Sequence, residues 1–235
     1  GTLKEKIIVS APDMEDMRVV MPEKQRSSYD KVVMQYKNNT EKNSMLEAIQ
    51  GLRSISLCYE DPDLSEAEPE DLFNNSAKLK KVCEILDSIS GKNEKTIIFI
   101  ESRKVQTLLQ GHIQKMFGFK PNIINGQTPS VKRQEYVNTF ETKGAGFDIM
   151  ILSPKAAGTG FTLVAANHVI HLSRWWNPAI EDQATDRAYR IGQKRKVYVY
   201  YPFAIHPEYG DDSFDIKLDK LIQRNRELSN KLLLP

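Results

Sequence analysis

Two arginines in the second half of the sequence, Arg187 and Arg190, have the chemistry and the spacing to bind an anion together. In a helix of about 3.6 residues per turn, they would share one face with Gln183, at spacings of four and three. Neighbouring guanidinium groups repel each other, and each offers a planar fork of donors that fits phosphate oxygens. The pattern therefore favours a site for a phosphate tail. Spacing alone leaves open a solvated face on which Arg187 pairs with Asp186 or Glu181.

A helix that begins near Asn177 would position these arginines. Asn177 can cap the helix, and Pro178 suits the first helical position, where a missing N–H costs nothing. The pattern predicts a helix from about Ala179 to Ile191. Its packing would depend on an apolar stripe about a quarter turn from the arginines, formed by Ile180, Ala184, Ala188 and Ile191.

Two short β-rich apolar runs precede this helix, at Ile149 to Leu152 and at Val169 to Leu172. Polar and glycine-rich residues follow each run at once. Parallel α/β sheets present functional loops at the ends of their strands in this way. We therefore expect the chemistry to lie in the loops that follow these two strands.

The stretch from Asp148 to Gln193 closely resembles motifs V and VI of superfamily-two nucleic-acid translocases, specifically the Swi/Snf-type ATPases. The sequence departs from the family pattern at Ala157, where a glycine is usual, and at Thr162, where an asparagine is usual. It departs again at Ser173 and Arg174, where an aspartate and a small residue or proline often stand. The matching residues are Ala156, Gly158, Gly160, Leu163, Ala166, Val169, Ile170, Trp176, Asn177, Pro178, Gln183, Ala184, Asp186, Arg187, Arg190, Ile191, Gly192 and Gln193.

The resemblance covers nearly the whole chain and implies an α/β fold. A RecA-like parallel β-sheet flanked by helices would carry an extra N-terminal helical segment and a C-terminal brace helix. Residues 1–22 would connect from a first lobe, and residues 23–74 would form a helical segment with an acidic loop. Residues 75–203 would form the helicase C-terminal lobe, and residues 204–235 a loop and the brace helix.

The resemblance also assigns roles to individual residues. Arg190 would act as an arginine finger on ATP held by a preceding lobe, with Arg187 assisting it. The rest of the ATP interface would be Gln183, Gly158, Gly160 and Asp186. Contacts with double-stranded DNA are expected at Ser102, Arg103, Gly126, Thr128, Lys155, Thr159, Thr162, Trp176 and Asn177. For Trp176 packing is the plainer alternative, and Trp175 is expected to be the anchor of the pair.

Apolar periodicity and capping residues predict the remaining elements. Predicted helices run from Pro22 or Glu23 to Lys37, from Ser44 to Cys58, from a cap at Asn75-Ser76 to Ser90, and from a cap at Ser102 to Phe117. Predicted strands are Lys6 to Ser10, Met17 to Met21, Thr96 to Ile100, Asn122 to Ile124 and Lys196 to Pro202. A last helix, capped by Asp212, would run from Ser213 to about Leu232, with Phe214, Leu218, Leu221 and Leu228 inward and Arg224 and Arg226 outward.

Composition narrows the class of protein. Of the 235 residues, 40% are apolar, which is enough to form a core without stabilising cross-links. The net charge of +2 does not by itself indicate nucleic-acid binding. Cys58 and Cys83 show no metal or disulfide pattern, and His168 and His171 would point to opposite faces of a strand. We predict free thiols, no metal site and no membrane segment, hence an intracellular protein, cytoplasmic if prokaryotic and nuclear if eukaryotic. The acidic stretch from Glu60 to Asp71 reads as a mobile, solvated loop.

The sequence contains neither a GxxxxGK[ST] phosphate loop nor an acidic DExx box. ATP and Mg²⁺ would therefore be held mainly by an N-terminal RecA-like lobe outside this sequence, and we expect this chain alone to be inactive. A DNA- or protein-docking module without turnover is the main alternative, although it would have no need for both Arg187 and Arg190. An RNA helicase lobe would lack the WNP and IGQ flanks, and a dinucleotide-binding domain would need a glycine fingerprint that is missing.

Overall fold

The computed structural model describes residues 6–8, 15–39 and 41–233. In this part of the chain six strands form one sheet, and every neighbouring pair is parallel. With strands numbered along the chain, the sheet order is β1 (Lys6–Ile8), β7 (Val197–Tyr200), β6 (Ala166–His171), β3 (Lys95–Phe99), β5 (Asp148–Leu152) and β4 (Asn122–Ile124). The predicted α/β fold with a parallel sheet is confirmed.

The middle of the sheet is its most buried part. Strand β3 is buried along its full length, and Ile97 lies between Met150 of β5 and Val169 of β6. Such a strand needs apolar residues at successive positions because both faces are covered. The helices that connect the strands are α4 (Ala77–Ser90), α5 (Arg103–Phe117), α6 (Ser130–Thr142) and α7 (Pro178–Thr185).

A second, smaller apolar cluster lies beside the sheet core. Helices α1 (Glu23–Asn38), α2 (Ser44–Leu57) and α8 (Phe214–Leu233) meet there with a parallel pair of strands, β2 (Arg18–Val20) and β8 (Phe203–Ile205). Pattern reading missed β8 because it follows β7 after only two residues. The buried members of the cluster are Met21, Tyr29, Ala77, Ala204, Phe214, Leu218 and Ile222.

Helix α8 differs from its prediction in which leucines it buries. Phe214 and Leu218 face inward as expected, but Leu221 and Leu228 are exposed, and Ile222 takes the inward position instead. Arg226 is not turned to solvent either, because it pairs with Asp182 at 2.6 Å. The helix therefore contacts α7 through charged side chains as well as the core through apolar ones.

The acidic stretch is more ordered than predicted. It contains helix α3 (Pro69–Asn74), and Asp71 accepts hydrogen bonds from Tyr59 and from Lys24 at 2.6 Å and 2.8 Å. Asp61 pairs with Lys104 of α5 at 2.8 Å, and the Lys104 ammonium lowers the pKa of that carboxyl. Ser76 does not cap α4, since its hydroxyl accepts from the Tyr59 amide at 3.1 Å.

The sequence predicts no membrane segment, no metal site and no disulfide, and the described residues can be compared with each of these predictions. None of the helices there has the length and the hydrophobicity that crossing a membrane requires. No group of three or more His, Cys, Asp or Glu side chains in that part is arranged to hold a metal ion. Cys58 is buried, Cys83 is partly buried and both are free thiols, whose pKa values burial raises. The predicted strand at Lys6 extends to Ile8, and Ser10 lies outside the described residues.

One buried amide joins the second cluster to the main sheet domain. Gln25 of α1 is fully buried, and its Nε2 donates to the Ile55 carbonyl at 2.8 Å. Its Oε1 accepts from the Ala77 amide at the start of α4, also at 2.8 Å. A single side chain thus satisfies backbone groups of two other helices.

We predict that Gln25→Leu lowers the free energy of unfolding by about 2–4 kcal/mol, because each buried polar group left unpaired costs about 1–3 kcal/mol. Gln35→Leu, at an exposed position of the same helix, is the control and should change it little. Urea unfolding of both variants measures the difference. Equal stability of the two would show that Gln25 does not join the helices.

Candidate phosphate-binding site

The loops at the carboxyl edge of the sheet are bonded to one another. The Leu172 amide, after β6, donates to the Phe99 carbonyl at 3.0 Å, and the Ile100 amide, after β3, donates to the Leu152 carbonyl at 3.0 Å. The Ser173 hydroxyl accepts from the Glu101 amide at 3.1 Å. Because all the strands are parallel, the predicted site residues after β3, β4, β5 and β6 lie along this one edge.

The helix that was expected to carry both arginines is shorter than predicted. Asn177 caps α7 by accepting from the Ala179 amide at 3.0 Å, with Pro178 in the first turn, as predicted. The helix ends at Thr185, however, and the expectation that it reaches Ile191 is wrong. The Arg187 and Ala188 amides bond to carbonyls three residues back, and the Arg187 carbonyl accepts from the Leu163 amide at 2.8 Å. The arginines therefore project from a tight turn, residues 186–193, which we call the arginine turn.

The predicted apolar stripe of α7 is correct only in part. Ala184 and Ala188 are fully buried, but Ile191 is 76% exposed and Ile180 is half-buried. Ile191 lies beyond the end of the helix, where the turn directs its side chain to solvent. Burying two alanine methyl groups contributes only about 2 kcal/mol, at roughly 0.8 kcal/mol per carbon. Other contacts must fix the position of this helix.

The two arginines lie side by side against the loop after β5. Arg187 Nη1 donates to the Phe161 carbonyl at 3.4 Å, and Arg190 Nη1 donates to the Thr162 hydroxyl at 3.3 Å. Partial burial and the neighbouring Arg190 charge lower the pKa of Arg187, while Asp186 raises it. Arg187 Nε is buried with no hydrogen-bond partner among the described residues, and neither guanidinium forms an ion pair with a residue of that part. Their donors are thus suited to an external anion.

The alternative in which Arg187 pairs with Glu181 is wrong, since Glu181 is buried against another arginine, Arg174. Gln183 and Asp186 are exposed on the same end of α7. Gly158 and Gly160 are exposed in a short 3₁₀ turn, Ala156–Thr159, and its end. Gly160 has φ +91°, a conformation that favours glycine, whereas a side chain at Gly158 would meet no atom within 4 Å.

A separate groove of about 310 Å³ lies further along the same edge, between the ends of β3, β4 and β5. Four of the residues expected to contact DNA line it: Arg103, Gly126, Lys155 and Thr159. Arg133 joins them, held by hydrogen bonds to the Thr128 and Asn125 carbonyls at 2.7 Å and 3.1 Å. Glu101, the one carboxylate that lines the groove in the described structure, is paired with Arg53 at 2.7 Å. The groove therefore carries a local excess of positive charge.

Trp175, rather than Trp176, lines this groove. Lys155 Nζ lies 5.3 Å from the centre of the Trp175 ring, and the Arg53 guanidinium lies 5.4 Å from it. Trp176 is 39% exposed outside the groove, and its carbonyl accepts from Asn225 of α8 at 3.3 Å. The indole that was expected to serve as an anchor thus also flanks the basic groove.

Several polar groups expected to contact DNA are already used by the protein. Ser102 accepts from the Val105 amide as the cap of α5, and Asn177 caps α7. The Thr128 hydroxyl bonds within its own turn, to the Asn125 amide and the Ile123 carbonyl. The Thr159 hydroxyl donates to the Ala156 carbonyl, and the Thr162 hydroxyl accepts from Arg190. These side chains shape the loops. Arg103 and Lys155, which form no ion pair with a carboxylate of the described residues, are the groove side chains best suited to a phosphate.

A buried charge network fixes the position of α7. The sequence patterns did not predict this network. Arg174 follows β6, and its Nε donates to Glu181 of α7 at 2.7 Å while its Nη1 donates to Asp219 of α8 at 2.7 Å. Burial opposes both charges, yet their attraction keeps the pKa of Glu181 below and that of Arg174 above the ordinary value. Removing one member of a buried pair costs about 3–5 kcal/mol, more than the alanines of α7 contribute. The only feature of the sequence that pointed to this network was the departure from the family pattern at Arg174.

His171, the last residue of β6, gives α7 a second buried polar anchor. Its Nε2 hydrogen-bonds with the Thr185 hydroxyl at 2.8 Å, and its ring stacks between Phe99 and Tyr201, at 5.2 Å and 5.1 Å between ring centres. Burial lowers the pKa of His171 to about 4, so the imidazole is neutral in the folded protein. The end of α7 is thereby fixed to the end of β6.

Comparison with known proteins gives consistent matches. Residues 77–192 match the family described as helicase conserved C-terminal domain. Zorya protein ZorD of Escherichia coli is 43% identical over 188 residues, covering 77% of this chain and 17% of that protein. The putative ATP-dependent helicase/translocase YwqA of Bacillus subtilis is 38% identical over 170 residues, covering 72% of this chain and 18% of that protein. The chain thus spans less than a fifth of the length of these relatives.

Among solved structures, the Sulfolobus solfataricus SWI2/SNF2 ATPase core in complex with dsDNA superposes with a TM-score of 0.69. The match covers 94% of this chain and 47% of that chain, at 24% identity. At this level of identity the similarity establishes the fold.

The pKa of His171 predicts how stability depends on pH. The unfolded chain takes up a proton near pH 6.5, whereas the folded protein does so only near pH 4, so stability that is fully present above pH 6.5 is lost as the pH falls towards 4. Wild type should lose about 3 kcal/mol more than His171→Phe over this range, at about 1.4 kcal/mol per pKa unit. Urea unfolding at pH 7 and pH 4 measures both losses, and equal losses would contradict the assignment.

Proposed function

The chain belongs to the helicase C-terminal domain family, in its Swi/Snf-type branch, and from this premise we propose that it is the second motor lobe of an ATP-driven translocase on double-stranded DNA. In this proposal a preceding RecA-like lobe cradles ATP and Mg²⁺, and this lobe completes the site when the two close. The observation that carries the proposal is the adjacent pair Arg187 and Arg190, whose guanidiniums have no carboxylate partner among the described residues.

The chemistry of this pair fits a phosphoryl group in transfer. Arginine offers fixed donors and a permanent charge, and a guanidinium held beside a second one is most stable when an anion lies between them. Arg187 Nε, buried without a partner in the described structure, is a donor that a phosphate oxygen would satisfy. Such donors stabilise the charge that develops on the equatorial oxygens during phosphoryl transfer. ATP would supply the transferred group, and Arg190, the more exposed arginine, would reach it from this lobe.

The groove beside the arginines fits a nucleic-acid backbone. Arg103, Lys155 and Arg133 give it positive charge, and the space beside Gly126 is open, because a Cβ added there would meet no atom within 4 Å. Contacts of this kind neutralise phosphates without reading the sequence of the bases. The matched Sulfolobus core was solved with dsDNA, which supports a duplex as the partner.

One loop connects the two surfaces. Lys155 and Thr159 line the groove, while Phe161 and Thr162, a few residues later, contact Arg187 and Arg190. A phosphate bound by the arginines and a DNA strand in the groove would therefore both act on residues 155–162. We infer that this loop transmits the nucleotide state to the DNA contacts.

We predict that Arg190→Lys in the two-lobed protein lowers ATP turnover by roughly a thousandfold, although the charge is kept, because an ammonium lacks the planar fork of donors. Arg190 is exposed, so the thermal midpoint should stay unchanged. Steady-state hydrolysis with saturating DNA and a thermal melt measure both quantities.

The matched control is Arg195→Lys, because Arg195 is also exposed and lies shortly after the arginine turn. This variant should retain turnover. A variant at Arg190 that melts normally and keeps about half of wild-type turnover would remove the catalytic role. The lobe would then be better described as a docking module.

The groove yields a separate prediction. Lys155→Ala should lower the slope of log K against log salt for DNA binding by about one unit, since one phosphate contact is lost. Basal hydrolysis without DNA should be nearly unchanged. Lys120→Ala, at the amino edge of β4, should leave the slope as it is. If Lys155→Ala also leaves the slope unchanged, Lys155 does not contact DNA.

A further inference from the structure

The guanidinium of Arg174 lies between helices α7 and α8. It is 6% exposed, and its partners Glu181 and Asp219 are 1% and 3% exposed. Nε and Nη2 contact the Glu181 carboxylate of α7 at 2.7 Å and 3.1 Å, whereas Nη1 contacts Asp219 of α8 at 2.7 Å. The plane of Tyr201, 4.3 Å away, supports the guanidinium. One side chain thus serves carboxylates on both helices.

A second contact reinforces this connection nearer the surface. Arg226 of α8 donates to Asp182 of α7 at 2.6 Å, and it lies 3.7 Å from Glu181. By contrast, the buried apolar residues of α7 are only Pro178 and Ala184. The position of α7 is therefore specified chiefly by charges that belong to the loop after β6 and to α8.

The first residues of the arginine turn are bonded to α7. The turn begins directly after Thr185, and its first amides bond to carbonyls of the last helical turn, at Asp182 and Ala184. Its arginines make only long hydrogen bonds, at 3.3 Å and 3.4 Å, to the loop beside them. The other end of the turn is held by the Leu163 amide, which donates to the Arg187 carbonyl at 2.8 Å, and by Gln193, which donates to the Ala166 carbonyl at 2.8 Å. A shift of α7 would therefore distort the turn and displace Arg187 and Arg190 relative to these fixed contacts.

We propose that Arg174 is a positioning residue that couples helix α8 to the arginine turn by holding Glu181 and Asp219 together. It acts through α7 and touches no phosphate itself. An arginine suits this role because its rigid fork can serve two carboxylates at once, which the single ammonium of a lysine cannot do in the same geometry. The importance of this coupling for turnover rests on the function proposed above, whereas the mechanical link does not.

The structure provides a matched control for this proposal. Lys78 of α4 pairs with Asp215 of α8 at 3.3 Å, and both side chains are buried. Asp215 lies one turn before Asp219 on the same helix. Arg174→Met and Lys78→Met each leave a buried carboxylate of α8 unpaired, but only Arg174 also contacts α7. Asp219→Asn, which weakens the α8 half of the bridge by removing its charge with little change in shape, provides the same test if Arg174→Met does not fold.

Hydrogen exchange on the chain tests the mechanical link directly. Amides of residues 186–193 should exchange about tenfold faster in Arg174→Met or Asp219→Asn than in Lys78→Met, when each variant is compared under conditions of equal global stability. Equal protection of this segment in all the variants would overturn the proposal, because Arg174 would then contribute only general stability.

Turnover of the two-lobed protein tests the consequence. Arg174→Met should lower kcat with little change in KM for ATP, and Lys78→Met should lower neither at a temperature where both are folded. If Arg190→Lys keeps its turnover, the proposed function fails, while the exchange result still decides the link. If Arg190→Lys loses turnover and Arg174→Met keeps it, the coupling is overturned and the proposed function stands.

Discussion

Helix α7 is short and buries little apolar surface, so its place in the fold depends on buried polar groups. Arg174, Glu181 and Asp219 meet where water is excluded, and His171 fixes the last turn through Thr185. A buried ion pair adds little net stability compared with an apolar pair of similar volume, but separating its members is costly. Such a network defines one position for the helix without making the region much more stable. The arginine turn that follows is positioned by α7 at one end and by the Leu163 amide and Gln193 at the other.

The parallel sheet explains why the two surfaces proposed to bind phosphate lie on one edge. Parallel strands deliver the loops after β3, β4, β5 and β6 to that edge, and hydrogen bonds between neighbouring loops keep them in register. The loop of residues 155–162 then contributes Lys155 and Thr159 to the basic groove and offers Phe161 and Thr162 to the arginines. Two carboxylates near these surfaces, Glu101 and Glu181, are already paired with Arg53 and Arg174.

Much of this fold could be predicted from the sequence, and the failures share a physical cause. Unbroken β-branched runs located β3, β5 and β6, and Asn177 with Pro178 located the start of α7, because these signals are local. The end of α7 could not be predicted, since it depends on the Arg187 carbonyl bonding to Leu163, a contact between distant parts of the chain. For the same reason the inward faces of α8 were assigned wrongly at Leu221 and Leu228, and the bridge from Arg174 to Asp219, 45 positions away, had no periodic pattern to indicate it. Among the site residues, charge and spacing selected Arg187 and Arg190, but nothing local distinguished the groove-lining Trp175 from its neighbour.

The central claim is that this lobe presents Arg187 and Arg190 to a phosphoryl group held by another lobe. The most direct test is a structure of the two-lobed protein with duplex DNA and ADP–aluminium fluoride, which imitates the phosphoryl group in transfer. We predict that the Arg190 guanidinium lies within about 3 Å of the fluoride ligands, with Arg187 beside it and Arg174 still bridging Glu181 and Asp219. A closed complex in which both arginines face solvent, or pair with carboxylates of the other lobe away from the nucleotide, would contradict the account.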